Sequence, residues 1–101
     1  MMDEDIKNMV NKKLENIELS EDNIDALINY VREITDDYFD YEIINDEEKI
    51  IVDTADGEFT LTYKGFLGNI WMDISWAIST PYEEENQKVL KKFNDLKLIH
   101  K

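Results

Sequence analysis

Carboxylates are the one chemistry this chain holds in quantity. It has 24 Asp and Glu against 11 Lys and Arg, a formal net charge of −13. Sixteen of those acids lie between Leu14 and Tyr63, where the only bases are Arg32 and Lys49, so that window alone carries −14. Residues 1–13 balance at zero, and residues 64–101 carry +1. Crowded carboxylates repel one another, which costs stability, and their field attracts cationic surfaces while repelling nucleic acid and anionic lipid. A basic protein surface is therefore the kind of partner the composition implies.

Other reactive sets are thin. Cys is absent, which removes disulfides, thiolate nucleophiles and Cys-based zinc sites. The one histidine, His100, leaves nothing from which to build a Ser-His-Asp or Cys-His arrangement. Gly65 and Gly68 are too few for a phosphate loop, and no Gly-Lys-Ser/Thr follows them. Asp53-Thr54-Ala55-Asp56-Gly57 has a faint likeness to a calcium loop, but aligning Gly57 on the loop glycine puts Val52 and Tyr63 at the first and last ligand positions. No spacing singles out a general acid/base pair. The expectation is a protein that is not an enzyme and holds no cofactor and no metal. Basic stripes are missing too, so direct nucleic-acid binding is not expected. No apolar run approaches the roughly 18 residues of a membrane span, and Met1-Met2-Asp3-Glu4-Asp5 has neither the basic nor the apolar region of a signal peptide. A cytoplasmic setting follows as an expectation. Thirteen Ile, nine Asn and ten Lys against one Arg are residues of AT-rich codons, which points to a low-GC bacterium or its phage.

Something must hold these acids in place. At 101 residues with 43% apolar and 11% aromatic content, one domain spanning 1–101 with one core is expected. Ile6, Met9, Val10, Leu14 and Ile17 recur at helical spacing. A second helix starts at the N-cap Ser20, with Glu21 and Asp22 at its positive end and a stripe of Ile24, Leu27, Ile28, Val31 and Ile34. Glu33, Asp36 and Asp37 then sit where a helix C-terminus favours cations, a local conflict of the kind that marks functional surfaces.

The period next changes to two. Phe39, Tyr41 and Ile43 alternate with Asp40, Glu42 and Ile44, giving a first strand. Asp46-Glu47-Glu48 is a turn, and Lys49–Thr54 a second strand. Ala55-Asp56-Gly57 reads as a hairpin turn before a third strand through Phe59, Leu61 and Tyr63. Gly65–Asn69 reads as a loop, and Ile70, Met72, Ile74, Trp76 and Ile78 as the apolar side of a fourth strand. Thr80 and Glu83 form a capping box, with Pro81 at the first position of a last helix carrying Tyr82, Val89, Leu90, Phe93 and Leu96. Leu96–Ile99 either extends that helix or adds a short edge strand. The expected architecture is a two-layer α+β domain of order ααββββα, with a four-stranded antiparallel meander packed against helices.

Such a sheet gathers Asp40, Glu42, Asp53 and Asp73 on its open face, beside Trp71. Same-face residues on one strand stand about 6.6 Å apart, while duplex DNA carries a charge every ~1.7 Å of axis. One strand cannot imitate a duplex; carboxylates pooled from several elements come closer. The leading expectation is an acidic, protein-binding inhibitor that covers the nucleic-acid-binding surface of a basic partner. Glu33, Asp36, Asp37, Asp40, Glu42, Asp46, Glu47, Glu48, Asp53 and Asp73 would meet Arg and Lys of that partner, and Tyr38 and Trp71 would be its aromatic anchors. Phe66 and Leu67 are further loop candidates. In size, acidity and lack of an active-site set the chain is similar to small phage anti-CRISPR and anti-restriction proteins, a likeness carried by no motif. An immunity protein against a toxin, a small ligand-binding domain, and a homodimer through Trp71, Ile44 and Ile51 are the alternatives. Salt adaptation would spread acid evenly and deplete Lys, unlike the pattern here; a plain solvated face would need no partner.

Overall fold

The computed structural model describes residues 3–101; Met1 and Met2, part of the N-terminal stretch read above, lie outside them. The elements are α1 (Asp3–Leu14), α2 (Glu21–Thr35), β1 (Asp40–Ile44), a 3-10 turn (Asn45–Glu47), β2 (Lys49–Thr54), β3 (Gly57–Thr62), α3 (Tyr63–Ala77) and α4 (Glu83–Asp95). The class is α+β, but the order is ααβββαα and the antiparallel sheet has three strands, β1-β2-β3. The four-stranded meander is thus corrected: the stretch read as a loop and fourth strand is one helix.

The reason lies in a shared spacing. Ile70, Ile74 and Ile78 are four apart, so they satisfy both strand alternation and a helical stripe. The tie is broken upstream, where Tyr63 and Phe66 join Ile70 and Ile74 in the core at helical intervals. Met72 and Trp76, which alternation turns inward, are each 65% exposed. Thr62 starts the helix by accepting from the Gly65 amide at 2.9 Å. A Cβ at Gly65 would lie 3.1 Å from Thr62 Oγ1, so the glycine leaves room for this cap. With only Lys64 and Asp73 charged, α3 is apolar almost all round, as a central helix must be. It touches α1, α2, α4, β2 and β3.

Two-residue alternation does hold in the sheet. Tyr41, Ile43, Ile50, Val52 and Leu61 share the face packed on the helices, with Ile50 fully buried. α2 forms as expected, Ser20 accepting from the Asn23 amide at 3.3 Å and Ile24, Leu27, Ile28 and Val31 buried. The last helix begins later than expected. Thr80 and Glu83 do not form a capping box; Thr80 Oγ1 donates to Asn86 Oδ1 at 2.7 Å, and Asn86 Nδ2 donates back to the Thr80 carbonyl at 3.1 Å. Pro81 therefore precedes α4, and Tyr82 is 68% exposed rather than part of its stripe.

The C-terminal residues return to the α1–α2 connection as an extended segment, with an isolated antiparallel bridge between Ile17 and His100. Asn23, 1% exposed, clamps it. Its side chain donates to the carbonyls of Glu18 (2.7 Å) and Ile99 (2.8 Å) and accepts from the Ile99 amide (2.8 Å). Among the described residues no helix is long and apolar enough to cross a membrane.

Candidate functional site

The open face of the sheet is built by register. β1 and β2 pair with Asp40 opposite Asp53, and β2 and β3 with Asp53 opposite Glu58. Three carboxylates thus form one row straight across all three strands, at the ~4.8 Å interstrand spacing. The next row is Glu42, Ile51 and Thr60, and the third Ile44, Lys49 and Thr62. Asp40, Glu42, Asp53 and Glu58 are exposed, and with Tyr41 and Ile51 they line a shallow depression of about 240 Å³. None of these four acids is in an ion pair among the described residues. Like charges directly opposite on a sheet are destabilising, by roughly 0.2–1 kcal/mol per pair.

Asp36, Asp37 and Tyr38 lead into β1 beside this row. Asp36 closes α2 in the left-handed conformation, φ 54°, which Asp tolerates better than most residues. This gives the acid at the helix end a local reason. Tyr38 is 79% exposed and lies over the Arg32 guanidinium, 4.7 Å from ring centroid to Cζ. Phe39 and Tyr41 surround the same guanidinium at 5.7 and 5.6 Å. Arg32 is thereby held by aromatic faces, each such contact contributing about 0.5–2 kcal/mol. Burial and the nearby Asp25 carboxylate push the Tyr41 phenol up from its ordinary range, with Arg32 opposing them.

The remaining candidates are dispersed. Asp46, Glu47 and Glu48 sit on the turn between β1 and β2, at the opposite end of the sheet from Asp40, and Lys49 approaches Glu47 at 3.9 Å. Glu48 adopts φ 51° at the exit of that turn. Glu33 bonds Lys92 of α4, so its charge is drawn to the helical layer. Trp71 and Asp73 are on α3 rather than on a strand. Trp71 is half-buried against the core, and burial pushes the Asp73 carboxyl up. Phe66 is a core residue and Leu67 packs beside it. Of the three homodimer candidates, Ile44 and Ile51 share the open sheet face and Trp71 does not.

Sequence reasoning missed Glu58 and Arg32. Glu58 alternates with Phe59 and Leu61, so strand periodicity alone puts it on the open face with Thr60 and Thr62; the turn decides only which residue it opposes. A three-residue loop, Ala55–Gly57, would set Asp53 opposite Phe59; the actual two-residue loop pairs Thr54 with Gly57 and so brings Asp53 opposite Glu58. The signal that could have found Arg32 is its place among Tyr38, Phe39 and Tyr41 as one of only two bases in the acidic half. Among the described residues no three His, Cys, Asp or Glu side chains gather in a metal-holding group. Compared with protein-family models, curated proteins and solved structures, the chain matches none.

Proposed function

We propose that this chain is an acidic inhibitor that occupies the nucleic-acid-binding surface of a basic partner protein in the cytoplasm. The observation that carries this reading is the row Asp40–Asp53–Glu58, flanked by Glu42 and by Asp36 and Asp37. These acids repel one another and, among the described residues, none of them is in an ion pair, so the free protein holds a local cost that a cationic partner relieves. Across strands the carboxylates stand ~4.8 Å apart, closer than the ~6.6 Å along one β-strand, so the row is denser in charge than a single strand could be. The face is a partial charge mimic. Its field speeds and orients docking, and the exposed Tyr38 ring supplies the aromatic anchor.

The test is a pull-down from bacterial lysate at about 50 mM salt, with and without competing duplex DNA. A basic partner that DNA displaces supports the reading. Retention of that partner against excess DNA, or binding unaffected by ~500 mM salt, sinks it. Asp53→Lys, at the centre of the row, should slow association at least about tenfold while leaving the circular dichroism spectrum unchanged.

A further inference from the structure

We infer that the free edge of β3 takes an extended segment of the cationic partner as a fourth antiparallel strand, an inference that rests on the function proposed above. Thr54 and Gly57 close a two-residue loop, which makes them a hydrogen-bonded pair. Alternation along the ladder then turns the backbone groups of Phe59 and Leu61 toward β2 and those of Glu58, Thr60 and Thr62 outward. Among the described residues, no backbone hydrogen bond outside the sheet reaches the Glu58 or Thr60 amides. Folded proteins blunt such an edge with charged side chains, Pro or a bulge; on Gly57–Thr62 the one such device is Glu58, whose negative charge repels acidic strands but not cationic ones, and Phe59, Thr60 and Thr62 favour strands.

Charge chooses the occupant. The row Asp40–Asp53–Glu58 ends at this edge, so a fourth strand places its own residue beside Glu58. Lys or Arg there extends the row with the opposite sign. A second copy of β3 would bring Glu58 and a net charge of −13 against the same, and is disfavoured. On the other face Phe59, 52% exposed, lies beyond the reach of the helices and offers an apolar contact to the alternate residues of the strand. The occupant is a segment alternating Lys or Arg with apolar residues, its cationic side chains on the acidic face. This is strand addition, in which main-chain bonds hold the segment and alternate side chains select it.

The probe is a synthetic seven-residue peptide alternating Lys and Val, titrated at about 50 mM salt into the ¹⁵N-labelled full chain. In the inferred geometry Lys amides face β3 and Val amides face solvent. Two isomeric peptides, each beginning and ending with Lys, separate the possibilities: one N-methylated at its two inner Lys residues, the other at two of its Val residues. The expected result is amide-exchange protection at Glu58, Thr60 and Thr62, with the Lys-methylated isomer at least about tenfold weaker than the Val-methylated one. Equal affinity of the two isomers without that protection overturns strand addition while leaving the charge-based reading standing. No binding by either isomer, with the lysate partner also missing, overturns both. Protection of the same amides without peptide, together with a dimer in sedimentation, assigns the edge to a second copy and also overturns the inference.

Discussion

Asn23 shows how much one polar side chain can organise. It is buried, it reaches across 76 residues of chain to Ile99, and each of its side-chain bonds is to backbone. Asn23→Ala leaves the Ile99 amide without its partner and removes one of two bonds at each of the Glu18 and Ile99 carbonyls, and should cost about 1–3 kcal/mol in urea unfolding. A change under ~0.5 kcal/mol would show that water replaces the clamp. Asp73 acts in the opposite direction. Burial makes its charged form less favourable in the folded chain than in the unfolded one, so the folded carboxyl holds its proton to higher pH. Folding stability is therefore lost as pH rises from the ordinary carboxylate value through the raised one. Asp73→Asn should be more stable than the parent at neutral pH, and the gain should vanish on acidification below the ordinary carboxylate range. Thermal unfolding of both proteins across that range checks the sign. The carboxylates themselves were legible residue by residue in the sequence, but Glu33 was not recognisable as the partner of Lys92, because the two are 59 positions apart.

At the scale of elements, α2, β1 and β2 followed their patterns because each satisfies only one period. α3 satisfied two. Isoleucines four apart fit a strand and a helix alike, and glycines at 65 and 68 looked like loop punctuation. Contacts with every neighbouring layer settle it as a helix, a case of tertiary packing overriding local propensity. The glycines then predict a contrast. A Cβ at Gly68 meets nothing within 4 Å, so Gly68→Ala should stabilise α3 by roughly 0.5–1 kcal/mol. At Gly65 the same methyl presses on Thr62 Oγ1, so the gain should shrink or reverse, and Thr62→Ala alone should cost about 1 kcal/mol through the lost cap. Equal stabilisation by both alanines would contradict the cap geometry. The strand register was the second hidden feature: a turn shorter by one residue decides whether Asp53 faces Glu58 or Phe59.

For the whole molecule the electrostatic prediction has two signs. Screening the net charge of −13 should raise the melting temperature of the free chain between about 50 and 500 mM salt, and over the same range weaken any complex with a basic partner. Asp53→Lys should divide the same way: it removes two opposed like-charge pairs, stabilising the fold by about 0.4–2 kcal/mol, and slows association. A variant that is destabilised, or that associates as fast as the parent, would contradict the placement of the row. The acids form two groups at opposite ends of the sheet with Glu42 between them, and among the described residues the turn group has an ion pair, Glu47 with Lys49, while the Asp40–Asp53–Glu58 row has none.

Read alone, the amino-acid sequence determined the sign and lopsidedness of the charge, the α+β class, three of the four helices and the three strands, because charge is additive and amphipathic periods are local. Tertiary structure decided which carboxylates meet. Glu58 joined the row through hairpin register, Glu33 left it through a long-range ion pair, and Trp71 and Asp73 moved to the helical layer when an ambiguous period was resolved by burial. The hairpin register turned on a single residue of loop length, while the ion pair and the burial of α3 depend on contacts between distant segments, which no local pattern encodes.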